Sequence, residues 1–169
     1  MDVAPGVIEY GLDFLRRHRT PRGTLPDTVL DRSLVMPHIL PWTSVLSLEE
    51  GGRPRVAWAG AGVIKVNGFD GTGRFVDELL EPRLARQYTE FVTLVRTSRR
   101  GHIACFEIEA RAIGRPLVET LFLPVEDEAG EVRHQLLFHQ YNLLDGIGVE
   151  GALLLARLSE GCVITAEPV

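Results

Sequence analysis

The chain has 169 residues, 45% hydrophobic and 24% charged, which is enough for one domain with a real hydrophobic core. Its formal net charge of -5 argues against nucleic-acid binding, which needs clustered Lys and Arg to release phosphate counterions. Two cysteines, Cys105 and Cys162, are too few and too far apart for a disulfide framework or a zinc site.

The N-terminus, MDVAPGV, has no basic region followed by an apolar run, and no apolar run in the chain approaches the roughly 20 residues that span a bilayer. The expectation is a cytoplasmic protein with no membrane partner. Val7 to His18 is predicted as a helix, because Ile8, Leu12 and Leu15 recur at helical spacing. Arg16, Arg17 and Arg19 sit where cations favour a helix C-terminus, and Thr20, Pro21 and Gly23 end it. From Pro21 to Pro41 the chain is extended and punctuated by proline, with a short helical turn opening at Pro26-Asp27. Trp42 to Leu48 and Arg55 to Ala59 read as a hairpin joined by the polar turn Glu49-Glu50-Gly51-Gly52.

Val63 to Val66 is a brief amphipathic stretch, broken at Asn67-Gly68. Phe69 to Arg74 then makes a tight corner whose Asp and Gly supply the backbone angles a corner needs. It fits neither the Walker pattern nor a well-placed G-x-G-x-x-G, so a structural turn accounts for it better than a phosphate loop. Arg83 to Arg96 is the clearest helix: Leu84, Tyr88, Phe91, Val92 and Val95 make one apolar stripe, and Pro82 stands just before it. Arg96, Arg99 and Arg100 follow as an end-cap and solvated loop.

Three strands come next. In His102 to Ala110, Ala104, Phe106 and Ile108 share one face, with Cys105, Glu107 and Glu109 on the other. Pro116 to Val125 is apolar on both faces, as a central strand would be. In Arg133 to Tyr141, Leu136 and Phe138 share one face, with Leu137, His139 and Tyr141 on the other. Both faces of the sheet therefore carry apolar groups. Helices between strands cover one face, so the other calls for the N-terminal helix, a partner subunit or both. In the tail, Val149 to Leu158 suits a helix and Cys162 to Thr165 a strand.

Two strands, short helices, one longer helix and three antiparallel strands is the order of a PAS domain. The sequence resembles the PAS-like family found as compact single-domain proteins in alphaproteobacteria. The features that carry this are Leu25-Pro26 with Leu40-Pro41, Val56-Ala57-Trp58-Ala59-Gly60, the corner Gly68 to Arg74 with Leu79-Leu80, and Glu119 to Val125. The resemblance spans about Leu12 to Tyr141. It implies an α+β fold with a five-stranded antiparallel sheet, helices on one face and an N-terminal helix on the other. The corresponding division is an N-terminal helix and linker over 1–24, a PAS-like domain over 25–141 and a C-terminal extension over 142–169.

PAS domains are generally sensory or interaction modules, and the resemblance implies a non-enzymatic homodimer that holds a small molecule or signals through a separate protein. The expected pocket wall is Trp58, Tyr88, Phe91, Phe106, Phe122 and Phe138, with Thr120 and Arg74 as the polar groups able to orient a ligand. The same aromatics would equally fill an ordinary core. Ile8, Leu12 and Leu15 on the helix, with Leu137 and Tyr141 on the outer sheet face, make the expected dimer interface.

Among cofactors, a haem sensor would want a His on the long helix, which has none, and a flavin photoreceptor of the LOV type needs a Cys in an Asn-Cys-Arg-like motif, which neither cysteine has. The cofactor is otherwise open. No metal is expected, since the five histidines are scattered and make no i, i+4 pair with an acid. Two other classes compete: a cone-shaped isomerase or hydratase, which would need an Asp or His projecting into a cavity, and a pure dimerisation module with a filled core. The strand phases read here point Phe106, Leu136 and Phe138 inward.

Overall fold

The structure, a computed structural model, describes residues 6–107 and 117–142. The first helix, α1 (Val7–His18), begins after Gly6 and ends with Arg16, Arg17 and His18 in its last turn, where cations complement the carbonyl end. A two-residue strand, β1 (Leu25–Pro26), and three short 3-10 turns lead to β2 (Thr43–Leu48) and β3 (Pro54–Ala59). Two short helices follow, α2 (Ala61–Asn67) and α3 (Val76–Leu79), and then the long helix α4 (Pro82–Ser98). Glu81 caps α4, its carboxylate accepting from the backbone N–H of Arg83 (3.2 Å) and Leu84 (2.8 Å), with Pro82 in the first turn. The last strands are β4 (His102–Glu107), β5 (Leu117–Glu126) and β6 (Val132–Asn142).

Among the described residues these strands form one six-stranded sheet of order β1-β5-β6-β2-β3, with β4 also on β5. The mixed α+β class expected from the sequence holds. The sixth strand is β1, which runs parallel to the end of β5 through Leu25↔Val125 and Pro26↔Glu126. Two residues, one of them proline, carry no alternation to betray a strand. The other pairs are antiparallel.

Apolar layers cover both faces. On the outer face α1 buries Val7, Ile8, Phe14 and Leu15 with Leu121, Leu123, Leu136 and Phe138. Tyr10 and Phe14 each lie with ring centroids 5.8 Å from Phe138. Gly11 makes this approach possible, since a Cβ there would meet the Leu121 and Phe138 side chains at 2.8 Å. On the inner face α4 packs Phe91, Val92 and Val95 with Phe122 and Leu137.

The faces of β6 are therefore the reverse of the expected ones. Leu136 and Phe138 lie under α1, while Leu137 and Tyr141 turn toward the other helices. The two residue sets were separated correctly by their alternation. Which set faces which layer depends on partners distant in sequence, because both sets are apolar. The Gln135 amide settles the matter on the inner side, where it donates to the Val92 carbonyl of α4 (2.8 Å).

The last residue of β5, beside the acidic turn, is a hidden structural group. Glu126 is buried and receives the Thr24 hydroxyl (2.7 Å) and the Arg99 and Arg22 guanidinium groups, tying the start of β1, the end of α4 and β5 together. Arg99, expected with Arg96 and Arg100 in the end-cap and solvated loop, does close α4, with a left-handed backbone (φ 58°), and its guanidinium also reaches this carboxylate.

Candidate functional site

Between the inner sheet face and α2, α3 and α4 lies a cavity of about 950 Å³. That is the upper part of the range small-molecule pockets occupy. Apolar side chains from every surrounding element make most of the wall, including Leu46, Val63, Leu79, Leu84 and Val118. Exposed residues, Phe69, Glu81, Arg83 and Gln87, stand at its rim. The corner that precedes α3 shapes this rim. Gly68 ends α2 in a left-handed conformation (φ 79°), and Asp70 accepts from the Thr72 N–H (2.9 Å); hydrogen bonding by the Thr72 side chain and then by its N–H holds the Asp70 carboxyl below the usual range.

Three buried polar side chains interrupt the apolar wall at the sheet. β2, β6 and β5 are neighbours, and they place Ser44, His139 and Thr120 in a line across the inner face. Ser44 Oγ is 2.6 Å from His139 Nε2, and Thr120 Oγ1 is 3.0 Å from His139 Nδ1. Burial pushes the imidazole down to about 4, so it is neutral near pH 7. One ring nitrogen then donates and the other accepts, and each hydroxyl takes the complementary role. Tyr88 and Tyr141 also line the cavity, and burial raises both phenols well above their usual value.

Ser44 and His139 stand at the distance of a nucleophile and its base. The third partner is a neutral hydroxyl instead of a carboxylate, and burial penalises the imidazolium that base catalysis passes through. The arrangement holds hydrogen-bond direction in place and disfavours charge. No group of three or more His, Cys, Asp or Glu able to hold a metal occurs among the described residues.

Of the expected ligand residues, the structure brings Tyr88 and Thr120 to this cavity. Phe91 and Phe122 pack beside it in a filled layer, their rings 5.0 Å apart. Trp58 and Phe138 belong to the opposite layer, Trp58 beneath the Arg32 guanidinium at 4.9 Å from its ring centroid and Phe138 beneath α1. Arg74 is exposed on its corner and pairs with Glu78. The backbone of Phe106 pairs with Val118, and its side chain is outside the described residues. Of the expected interface, Ile8 and Leu15 are buried against the chain's own sheet, Leu12 is half-buried, and Leu137 and Tyr141 are on the cavity side.

The residues that sequence reasoning missed are Ser44 and His139. The available signal was a histidine sharing the alternation phase of Leu137 and Tyr141 within an apolar strand. Because both faces of β6 are apolar, that alternation alone does not tell which face meets the cavity. Residues 108–116 and 143–169, including Cys162 and the expected tail helix and strand, are outside the described residues.

No family model matches the sequence, and no curated protein matches it. Solved structures do. The PAS domain of Bordetella pertussis BvgS superposes with a TM-score of 0.55 at 20% identity, over 80% of this chain and 98% of that one. The light-state Aureochrome1 LOV domain gives 0.50 at 14% identity, over 78% and 98%. The Vibrio cholerae VqmA–ligand–DNA complex gives 0.53 at 15% identity, over 79% of this chain and 57% of VqmA, so the chain spans little more than half of that protein. At these identities the likeness is one of fold, and the fold is PAS-like.

Proposed function

We propose that this chain is a non-enzymatic sensory module in which the cavity on the inner sheet face holds a small molecule, and that it works as a homodimer whose signal leaves through a separate protein. The observation that carries this reading is the buried Ser44–His139–Thr120 line on the wall of a cavity of about 950 Å³. A filled core would gain more from apolar residues at all three positions, because polar groups contribute little there even when paired. VqmA, which shares the fold, binds a ligand and has been solved as a dimer, and both habits are proposed for this chain by that analogy. The outer surface beside α1 offers Leu34 (43% exposed) and Met36 (46%) as apolar contacts for a second copy, with the Met36 N–H held by the Tyr10 hydroxyl (3.1 Å).

Native mass spectrometry on gently purified protein tests this reading, with melting measured against a library of small uncharged and charged fragments. The expected result is a dimer with a reproducible added mass, or a melting point raised by fragments that also protect the cavity wall from hydrogen exchange. Protein with no added mass and no fragment able to shift its melting at millimolar concentration overturns the sensory reading.

A further inference from the structure

We propose that the Tyr141 hydroxyl selects the ligand of the cavity by donating a hydrogen bond to an uncharged acceptor, such as a ketone or ester carbonyl, on an otherwise apolar molecule. This inference rests on the small-molecule reading above and narrows it to a ligand class.

The polar groups of the cavity wall fall into three sets. Ser44, His139 and Thr120 bond to one another. Asn67, Glu81, Arg83 and Gln87 are half-buried or exposed, within reach of bulk water. The third set is the two phenols, Tyr88 and Tyr141. Tyr141 is 4% exposed, and its hydroxyl makes no hydrogen bond among the described residues. A buried phenol ordinarily has a partner. Nor is this oxygen sealed into the core. The sealed, unpaired side-chain polar atoms among the described residues are Arg55 Nε, His102 Nδ1 and Gln135 Oε1. The Tyr141 hydroxyl therefore keeps open surface, and the space that Tyr141 lines is the cavity.

Its surroundings decide what can meet it. The ring lies 5.7 Å from that of Trp42, opposite Val118 in register, and in one apolar cluster with Val63 and Val66. Burial alone raises its titration, so it stays a phenol at neutral pH and no charged group stands close to it. It has one hydrogen to give. A molecule that fills the cavity and brings no acceptor leaves that hydrogen unpaired in an apolar wall. A carboxylate would accept the hydrogen but give up its own water with no cation beside it, because Arg83, the cation of the wall, is exposed at the rim. A neutral carbonyl accepts it at a far smaller loss of hydration.

Three probes of similar shape test this in the full chain at pH 7.4: 2-acetonaphthone, 2-isopropenylnaphthalene, in which a methylene replaces the carbonyl oxygen, and 2-naphthoate. The ketone is expected to bind about tenfold tighter than the hydrocarbon, a difference of one hydrogen bond, and tighter than the carboxylate. With a ¹³C-labelled carbonyl, its infrared stretch should fall on binding, as a hydrogen-bonded ketone requires. Tyr141→Phe removes the hydroxyl alone. It should leave melting unchanged or raised, since no bond within the protein is lost, weaken the ketone to the level of the hydrocarbon and abolish the infrared shift. If that variant does not fold, the wild-type affinities and infrared band still decide. A hydrocarbon or carboxylate that binds as tightly as the ketone overturns this inference and leaves the small-molecule reading standing, as does an unshifted carbonyl band or full ketone affinity in Tyr141→Phe. Failure of all three probes to bind up to their solubility overturns both.

Discussion

At the scale of single residues, chemistry in this protein depends on which polar groups are buried. His139 is held neutral by burial, its titration pushed from 6.5 down to about 4. The unfolded chain therefore binds a proton that the folded chain refuses between those two values. The contribution of His139 to stability is fully present above about pH 6.5 and is lost as pH drops toward 4. His102 and His134 are shifted in the same direction by burial, so wild-type stability contains all three contributions. His139→Gln removes one of them. Between pH 7 and pH 5 the variant should lose about 2 kcal/mol less unfolding free energy than wild type, measured by denaturant titration at each pH. Parallel pH profiles would show that His139 titrates normally. Thr120 was legible in the sequence as a polar residue inside a central apolar strand. Its partners were not, because Ser44 is an ordinary small residue near a strand start and a single histidine carries no information about its facing strand. Glu126 was hidden for a different reason: an acid beside Asp127 and Glu128 has the composition of a solvated turn, and only Arg99, Arg22 and Thr24, distant in sequence, make it a buried clamp.

At the scale of elements, local signals fixed the boundaries well. α1 runs over the predicted Val7–His18, and α4 extends the predicted helix by a residue or two at each end, as its Pro82 start and Arg99 stop dictate. The way α1 is seated was not legible. Gly11 sits mid-helix, where glycine costs about 1 kcal/mol relative to alanine, so propensity alone recommends Gly11→Ala. The packing opposes it. The added Cβ would press on Leu121 and Phe138 at 2.8 Å, and both are fully buried with no open side to move toward. Overpacking of a dense core costs about 1–3 kcal/mol, which exceeds the propensity gain. The expected net loss is about 1 kcal/mol, a melting point lower by roughly 2–4 °C for a domain of this size. Calorimetry on Gly11→Ala decides it, and a raised melting point would mean that α1 rides further from the sheet.

At the scale of the whole molecule, the sheet is a partition with two apolar sides, and the chain supplies covers for both. The sequence showed the doubled apolarity and named α1 or a partner as the outer cover. It did not show how completely α1 serves. Val7, Ile8, Phe14 and Leu15 are at most 8% exposed, and their contacts include Leu121 and Phe138, both on the central pair of strands. Burying four such side chains contributes about 6–12 kcal/mol, comparable to the whole stability of a typical domain of about 5–15 kcal/mol. Removal of residues 1–19 would also expose the partner side chains on β5 and β6 as a continuous apolar patch. The truncated chain should therefore lose its cooperative melt, bind an environment-sensitive apolar dye and self-associate in light scattering. The inner cavity would collapse with it, since the same strands carry Thr120 and His139 on their reverse side. A truncated protein that stays dispersed and melts within a few degrees of the full chain would show that the outer face is covered by something other than its own helix, and the dimer would then be the first candidate.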